Sequence, residues 1–184
     1  MGSRALTVTC VVVGGLAVGA AYVGGQAAVS PGSPPYFTEM QWPFAFDAWG
    51  PGRAFRCAAP ACGFAVAVYV RPKVGFCNCY TGVADDDEID RVGDVGLVGE
   101  NYRPLEAGKP VSLGDMRGRA RTFLVEHPRE PARHAIGIAV SKKCDALVAT
   151  VVSDRPIPPG VAQAAFAHLN AEPVLRWAQA SVGQ

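Results

Sequence analysis

The stretch Arg56 to Tyr80 reads RCAAPACGFAVAVYVRPKVGFCNCY and gathers four of the six cysteines of this 184-residue chain. Within it, Phe64, Val66, Val68 and Val70 fall on one face of an extended chain, and Ala65, Ala67, Tyr69 and Arg71 fall on the other. This alternation predicts a β-strand with one better-buried face. A proline and a glycine follow and predict a turn, after which the chain is again extended. A hairpin of this kind would return the second pair of cysteines, Cys77 and Cys79, towards the first pair, Cys57 and Cys62.

Disulfide bonding is the expected use of these cysteines, because it is the default for thiols in an oxidising compartment. Five cysteines follow the apolar leader of the chain, and all are candidate disulfide residues: Cys57, Cys62, Cys77, Cys79 and Cys144. The sequence does not fix their connectivity. We favour a bond between Cys57 and Cys62 and a second bond from Cys77 or Cys79 to Cys144. Residues two apart in an extended chain are poorly placed to bond with each other, which disfavours a Cys77–Cys79 bond.

Metal binding is the alternative use of the same side chains. Thiolates of Cys57, Cys62, Cys77 and Cys79 are soft ligands suited to copper or zinc, with C-x4-C and C-x-C as two ligand pairs. The C-x-C segment is similar over a few residues to the copper-binding segment of cytochrome oxidase copper chaperones, and the pairs resemble a zinc ribbon loosely. Redox exchange is a third use, although neither pair has the C-x-x-C spacing of thioredoxin-like proteins. With disulfides favoured, no cofactor is expected.

The first 35 residues predict export across a membrane. Residues 5–28 carry no charge and follow Arg4, and roughly 20 apolar residues suffice to cross a bilayer as a helix. A positive flank keeps the amino terminus in the cytoplasm. The sequence therefore predicts a transmembrane signal-anchor at 1–29, a Pro/Ser/Gly linker at 30–35 and a periplasmic domain at 36–184. A cleavable signal peptide, cut after the small-x-small run Gly25-Gln26-Ala27, is the alternative.

Charge is nearly balanced over the whole chain, with a formal net charge of +1, so no nucleic-acid partner is expected. It is unevenly distributed, however. Residues 85–94 are acidic and predict a short helix capped by carboxylates, whereas residues 109–143 are basic, with arginines alternating along a predicted strand. We expect the two regions to attract each other within the fold. An anionic partner or a lipid headgroup is the alternative use of the basic stripe.

The remaining elements predict an α+β fold. Residues 117–125 predict a strand, and two apolar, β-branched runs at 135–140 and 146–152 predict a hairpin around Ser141-Lys142-Lys143-Cys144-Asp145. Two helices, opening near Gly160 and Glu172, follow at the carboxyl end. The expected architecture is thus an N-terminal transmembrane helix followed by one antiparallel-sheet domain with C-terminal helices, held by disulfides.

No complete catalytic set is recognisable. Acyl transfer would need a Ser or Cys nucleophile with a base and an orienting group, and no G-x-S-x-G elbow or comparable arrangement occurs. The chain is therefore not expected to be an enzyme. The favoured function is a membrane-tethered periplasmic accessory or interaction protein, for which the inner membrane, through residues 5–28, and a membrane protein are the candidate partners. Copper or zinc binding, metal delivery or thiol redox activity is the alternative.

Several short runs carry a wider resemblance: FRC at 55–57, CG at 62–63, GFCNC at 75–79, TGVADDDEIDRVGD at 81–94 and CDALVAT at 144–150. Together they resemble a group of uncharacterised exported or membrane-anchored bacterial proteins over residues 55–150. The resemblance implies an inner-membrane or periplasmic setting. It supplies no activity, ligand or catalytic residue.

Overall fold

β-Strands make up most of the regular structure in the computed structural model, which describes residues 36–76, 78–128 and 130–182. The strands are β1 (Thr38–Met40), β2 (Arg53–Cys57), β3 (Val66–Lys73), β4 (Asn101–Pro104), β5 (Lys109–Leu113), β6 (Met116–His127), β7 (Glu130–Lys142) and β8 (Asp145–Ser153). The helices are α1 (Ala59–Cys62), α2 (Asp86–Val92), α3 (Pro159–Leu169) and α4 (Glu172–Ser181), with a 3₁₀ turn at Val95–Leu97.

All eight strands belong to one antiparallel sheet in the order β1-β2-β3-β8-β7-β6-β4, and β5 pairs with β6 on the same edge as β4. The β7–β8 hairpin lies at its centre and closes at the pair Lys142 and Asp145. Every residue of β8 is buried, because both faces of the sheet are covered there. The hairpin predicted at 135–152 is confirmed, as are the strands predicted at 64–71 and 117–125.

One face of the sheet packs against α3 and α4. The helices contribute small and branched side chains at helical spacing, chiefly Val161, Ala165, Leu169, Val174 and Ala178. They cover the apolar face of the central strands, which includes Val66, Val68, Val70, Ile138, Val140 and Val151. The alternation predicted for β3 is therefore the alternation that the core uses.

The opposite face is covered by α2, the 3₁₀ turn and the segment before β2. Asp85 caps α2, with its carboxylate accepting a hydrogen bond from the Glu88 backbone N–H at 2.8 Å, so the predicted acidic helix is confirmed. Ile89 and Val92 turn inward from this helix onto Ala139 and Val148. Aromatic rings of the segment between β1 and β2, including Trp42 and Phe44, pack edge-on against Tyr69 of β3.

The fold class predicted from the sequence is wrong. The described chain is a single antiparallel sheet of eight strands with only a few short helices, rather than an α+β domain behind a transmembrane helix. Four of the strands are short, and two of them, β1 and β4, have largely exposed side chains, so they leave little alternation in the sequence. Strand content was underestimated for that reason.

No helix within residues 36–76, 78–128 and 130–182 is both long and apolar enough to span a bilayer. The segment predicted to do so, residues 5–28, lies outside the described residues, as does the predicted linker at 30–35.

Candidate functional site

Two disulfides hold the described part of the chain, and they differ in setting. Cys57 and Cys62 bond across α1, and both residues are buried beside the helical core. Cys79 bonds to Cys144 at the surface, where Cys79 is exposed and Cys144 is half-buried. The second bond ties the loop that follows β3 to the turn between β7 and β8. The predicted candidate Cys77 lies outside the described residues.

The structure does not bring the predicted ligand pairs together as thiolates. The sulfurs of Cys57 and Cys62 are bonded to each other, and that of Cys79 is bonded to Cys144, which lay outside the proposed four-thiolate set. No group of three or more His, Cys, Asp or Glu side chains with metal-binding geometry occurs among the residues that the structure describes.

The acidic and basic regions meet where α2 lies over β6. The guanidinium of Arg119 lies 2.8 Å from the Asp86 carboxylate, and that of Arg121 lies 2.6 Å from Asp90. The intramolecular attraction expected from the sequence is therefore confirmed for two of the three alternating arginines. Hydrogen bonds from the Gly108 backbone N–H and from Arg119 hold the pKa of the Asp86 carboxyl below its usual value.

The third arginine, Arg117, lines a basic groove of about 450 Å³ beside the surface disulfide. One wall is the loop from Cys79 to Ala84, and the other is formed by β6 and the β7–β8 turn. The groove's charged side chains are four cations and one carboxylate: Arg117, Arg119, Lys142, Lys143 and Asp115. Its chemistry is that of a site for anions.

Local sequence explains the shape of this basic groove. The register of β6 against β7 sets Arg117 opposite Ser141, so the arginine lies next to the lysines of the turn. The Ser141 hydroxyl then accepts a hydrogen bond from the Val83 backbone N–H at 3.0 Å, which fixes the loop wall. Gly82 has a φ of 61° and approaches Ser141 so closely that a Cβ atom would lie 2.2 Å from its hydroxyl oxygen.

The cations of the basic groove are not equally available to a ligand. Arg119 is committed to Asp86, and the ammonium of Lys142 lies 2.6 Å from the Asp115 carboxylate. The hydrogen bond from Lys142 is the main reason that the pKa of Asp115 is lowered. Arg117 is exposed, and within the described part of the chain its guanidinium makes no ion pair or hydrogen bond.

A buried ion network lies under β3, and the sequence did not reveal it. The Arg71 guanidinium lies 2.5 Å from Asp94 and 2.7 Å from Asp47, and the Lys73 ammonium lies 2.7 Å from Asp94. Arg71, Lys73 and Asp94 are all buried. Burial opposes the charge on Arg71, but its hydrogen bonds to Asp94 and Asp47 outweigh burial and raise its pKa. The only sequence signal was the placing of Arg71 on the second face of the strand.

A second groove, of about 540 Å³ and mainly apolar, lies between the helices α3 and α4 on one side and β2 with Tyr36 and Phe37 on the other. His168 lies in its wall, with its ring 5.2 Å from that of Phe37 and 4.5 Å from that of Phe55, measured between centroids. Its Nε2 atom is buried without a hydrogen-bond partner. Burial, with a smaller contribution from Arg53, lowers the pKa of His168, so the ring is neutral at pH 7.

A scan against protein-family models and a search of the curated proteins return no match to this chain. The basic groove and the surface disulfide are therefore the features on which a functional inference can rest.

Proposed function

We propose that this chain is an exported, non-catalytic accessory domain that binds phosphate groups in the basic groove. The groove lies beside the β7–β8 turn and is lined by cations from two strands and that turn. Phosphate is the chemical group that such a site would recognise, whether it belongs to a lipid headgroup at the membrane surface or to a soluble phosphate ester. Binding to a headgroup would give the domain its contact with the inner membrane.

The observation that carries the proposal is that the Arg117 guanidinium faces the groove without an ion pair among the described residues. Surface arginines of this protein generally have carboxylate partners, as Arg119 and Arg121 do. Arg117 belongs to the same alternating stripe but faces the groove with no ion pair among the described residues. A guanidinium can donate two parallel hydrogen bonds to a phosphate, and bonds of this charged kind are stronger than neutral ones.

The setting is an oxidising compartment, as the two disulfides indicate. We propose more specifically the periplasm of a bacterium. The uncharged run at residues 5–28, preceded by Arg4, supports export by the route that leaders of this composition follow.

Binding is tested with two phosphate sources. The purified full-length protein is titrated with glycerol phosphate, and separately with vesicles of phosphatidylcholine alone or mixed with phosphatidylglycerol. We expect binding to weaken as salt is raised, because exposed charges are screened. Preference for the vesicles that contain phosphatidylglycerol, with weak binding of glycerol phosphate, would identify a headgroup site. Tight binding of glycerol phosphate would identify a soluble ligand.

The decisive variant is Arg117→Ala, matched with Arg56→Ala. Arg56 is also an exposed arginine, but it lies on β2, far from the basic groove in the strand order. Loss of a charged hydrogen bond is worth about 1.5 kcal/mol or more, so Arg117→Ala should weaken phosphate binding by about tenfold. Arg56→Ala should bind like the parent. Equal binding by the parent and both variants would refute the groove as the site.

Export is tested separately from binding. The protein is expressed in a bacterium with its own leader, and the amino terminus of the product is sequenced from the soluble periplasmic and membrane fractions. A product that begins near Ala28 in the soluble fraction indicates a cleaved leader. A product that retains residues 5–28 in the membrane fraction indicates a tether. Recovery only from the cytoplasm, with all cysteines reduced, would overturn the proposed setting.

A further inference from the structure

We infer that the Cys79–Cys144 disulfide is a site of thiol–disulfide exchange with a dithiol reductant, and that breaking it opens the basic groove. The first half of this inference stands on the disulfide alone. The second half rests on the proposed phosphate site, whose wall the bonded loop forms.

The two disulfides offer an attacking thiol very different access. Cys57 and Cys62 expose only 1% and 7% of their surface and pack into the core beside α3. Cys79 is exposed and lines the basic groove, and its partner Cys144 is half-buried in the turn. Exchange requires direct approach of a thiolate to one of the sulfurs, so the surface bond reacts first.

The surroundings of Cys144 favour it as the leaving sulfur. Lys142, at the end of β7, and Lys143, in the turn, directly precede it in the chain, and both line the basic groove together with Arg117; the Lys142 ammonium is also paired with Asp115. Cations near a cysteine stabilise its thiolate form, and a better-stabilised thiolate leaves faster. Arg56 directly precedes Cys57, but the Cys57–Cys62 bond is buried among apolar side chains, so burial is what separates the two bonds most clearly.

The exchange proceeds in two steps. A thiolate of the dithiol attacks Sγ of Cys79, the Cys79–Cys144 bond breaks, and its electron pair goes to Sγ of Cys144, which takes up a proton. The second thiol of the reductant then attacks the mixed disulfide and releases Cys79 as a thiol. The chain gains two electrons and two protons, and the dithiol becomes a disulfide.

Reduction would loosen one wall of the basic groove. Backbone N–H groups on both sides of Cys79 join the loop after β3 to its neighbours: Gly75 donates to the Asp145 carboxylate at 2.8 Å, Asn78 donates to Glu88 at 3.0 Å, and Val83 donates to the Ser141 hydroxyl at 3.0 Å. The bonds from Gly75 and Val83 reach the β7–β8 hairpin. Between them, the N–H groups of Tyr80, Thr81 and Gly82 donate to Asn78, within the loop itself. Breaking the disulfide therefore removes the direct tie between Cys79 and the hairpin, so the segment from Cys79 to Gly82 is held at its two ends and becomes more mobile.

The exchange is measured on the oxidised full-length protein with dithiothreitol under native conditions. Samples are quenched in acid, alkylated and mapped by peptide mass. We expect complete alkylation of Cys79 and Cys144 while the Cys57–Cys62 peptide stays oxidised and the near-ultraviolet spectrum of the tryptophans stays native. Equal rates for both bonds, or reduction only after unfolding, would overturn the inference.

Two further measurements test whether the lysines speed the exchange and whether the exchange weakens phosphate binding in the basic groove. Lys142→Gln with Lys143→Gln should slow reduction of Cys79–Cys144, whereas Arg103→Gln, an exposed site on β4, should not. Reduced protein should bind phosphatidylglycerol vesicles about tenfold more weakly than oxidised protein, as loss of Arg117 does. Selective exchange with no phosphate binding in either state would refute the proposed function and leave the exchange site standing. Phosphate binding that reduction leaves unchanged would refute only the opening of the groove.

Discussion

At the scale of single residues, the buried cations Arg71 and Lys73 of β3 fix the segment between β1 and β2 to the sheet. Asp47 is 40% exposed at its side chain, yet it reaches the buried Arg71 guanidinium with both carboxylate oxygens, at 2.7 and 2.8 Å. Lys73 adds a hydrogen bond to the Val92 carbonyl at 2.8 Å. The two cations thus join the segment between β1 and β2, the sheet and α2. Each charge has an opposite charge nearby, and a buried charge is tolerated only when it is paired in this way.

Replacement of Arg71 by Met should destabilise the protein by about 3 kcal/mol, at the lower end of what breaking a buried pair costs. The lower end applies because Lys73 stays 2.7 Å from Asp94 after the change. The free energy of unfolding is measured by urea denaturation. The control is Arg56→Met, at an exposed position of β2, which should change it by less than about 0.5 kcal/mol. Equal effects of the two substitutions would contradict the role of the network.

His168 predicts a pH dependence of stability. Its pKa is lowered in the folded protein by burial, so the unfolded chain binds its proton more readily than the folded chain does. Stability from this residue is therefore complete above about pH 6.5, the pKa of an unperturbed histidine, and is lost as pH falls towards the lower folded pKa. Urea midpoints should fall from pH 7 to pH 5 in the parent and fall less in His168→Phe. If the urea midpoint depends on pH equally in both proteins, this role of His168 is refuted.

At the scale of elements, the sequence predicted the longer strands β3, β6, β7 and β8 and the helices α2, α3 and α4, but not the short strand β2, although three of its residues are buried. The β7–β8 hairpin, β3 and α2 were recognised because their apolar residues or capping carboxylates leave a local pattern. β4 was missed, since all four of its residues are exposed and only its pairing with β6 makes it a strand. Pairing is decided by distant residues, and no local pattern records it.

The sequence likewise predicted only part of the candidate site. Cys79 and Cys144 were named in advance because cysteines are recognisable by type alone, and the basic stripe was visible as alternation. The groove itself was not predictable, because it depends on the register that sets Arg117 opposite Ser141. A shift of one residue in that register would turn Arg117 to the other face of the sheet.

Close packing of β6 against β7 leads to a prediction for Gly118. A Cβ atom at this position would lie 2.0 Å from the Ala139 carbonyl oxygen and 2.7 Å from the Val140 Cα, which are both backbone atoms. Gly118→Ala should therefore cost about 3 kcal/mol or more of unfolding free energy, as overpacking in a core does.

The matched control for Gly118→Ala is Gly160→Ala in α3, where no atom lies within 4 Å of the added Cβ. Alanine favours helix more than glycine does, so this variant should be as stable as the parent or up to about 1 kcal/mol more stable. Thermal unfolding followed by circular dichroism ranks the three proteins. A Gly118→Ala protein that melts at the parent's temperature would show that the two strands are less closely packed.

At the scale of the whole molecule, the two disulfides constrain the unfolded chain very differently. Cys57 and Cys62 are separated by 5 residues, whereas Cys79 and Cys144 are separated by 65. In the chain-entropy account, closing the short loop stabilises the fold by about 2 kcal/mol and closing the long loop by about 4 kcal/mol. Most of the covalent stabilisation therefore comes from the exposed bond, the one that a reductant reaches first.

Removal of the long-range bond should lower the free energy of unfolding by about 4 kcal/mol. The variant is Cys79→Ala with Cys144→Ala, and it is compared with the oxidised parent by urea denaturation in the absence of reductant. With dithiothreitol present, the parent and the variant should have nearly the same free energy of unfolding, about 2 kcal/mol below that of the oxidised variant, because the Cys57–Cys62 bond becomes reducible once the chain unfolds. A variant as stable as the oxidised parent would show that the bond does not constrain the unfolded chain.

The strand order also determines how the protein can assemble while it is being made. β8 is the last of the eight strands in the described part of the chain, yet it lies in the middle of the sheet, where its Ser153 pairs with Val66 of β3. Contacts between such distant residues form slowly, because a long loop must close first. When the chain emerges amino terminus first, β1 to β3 are complete long before their neighbour exists, and β3 presents an open edge during that interval. An open edge is a template for wrong pairing, so the β3 edge is exposed to such pairing until β8 has been made.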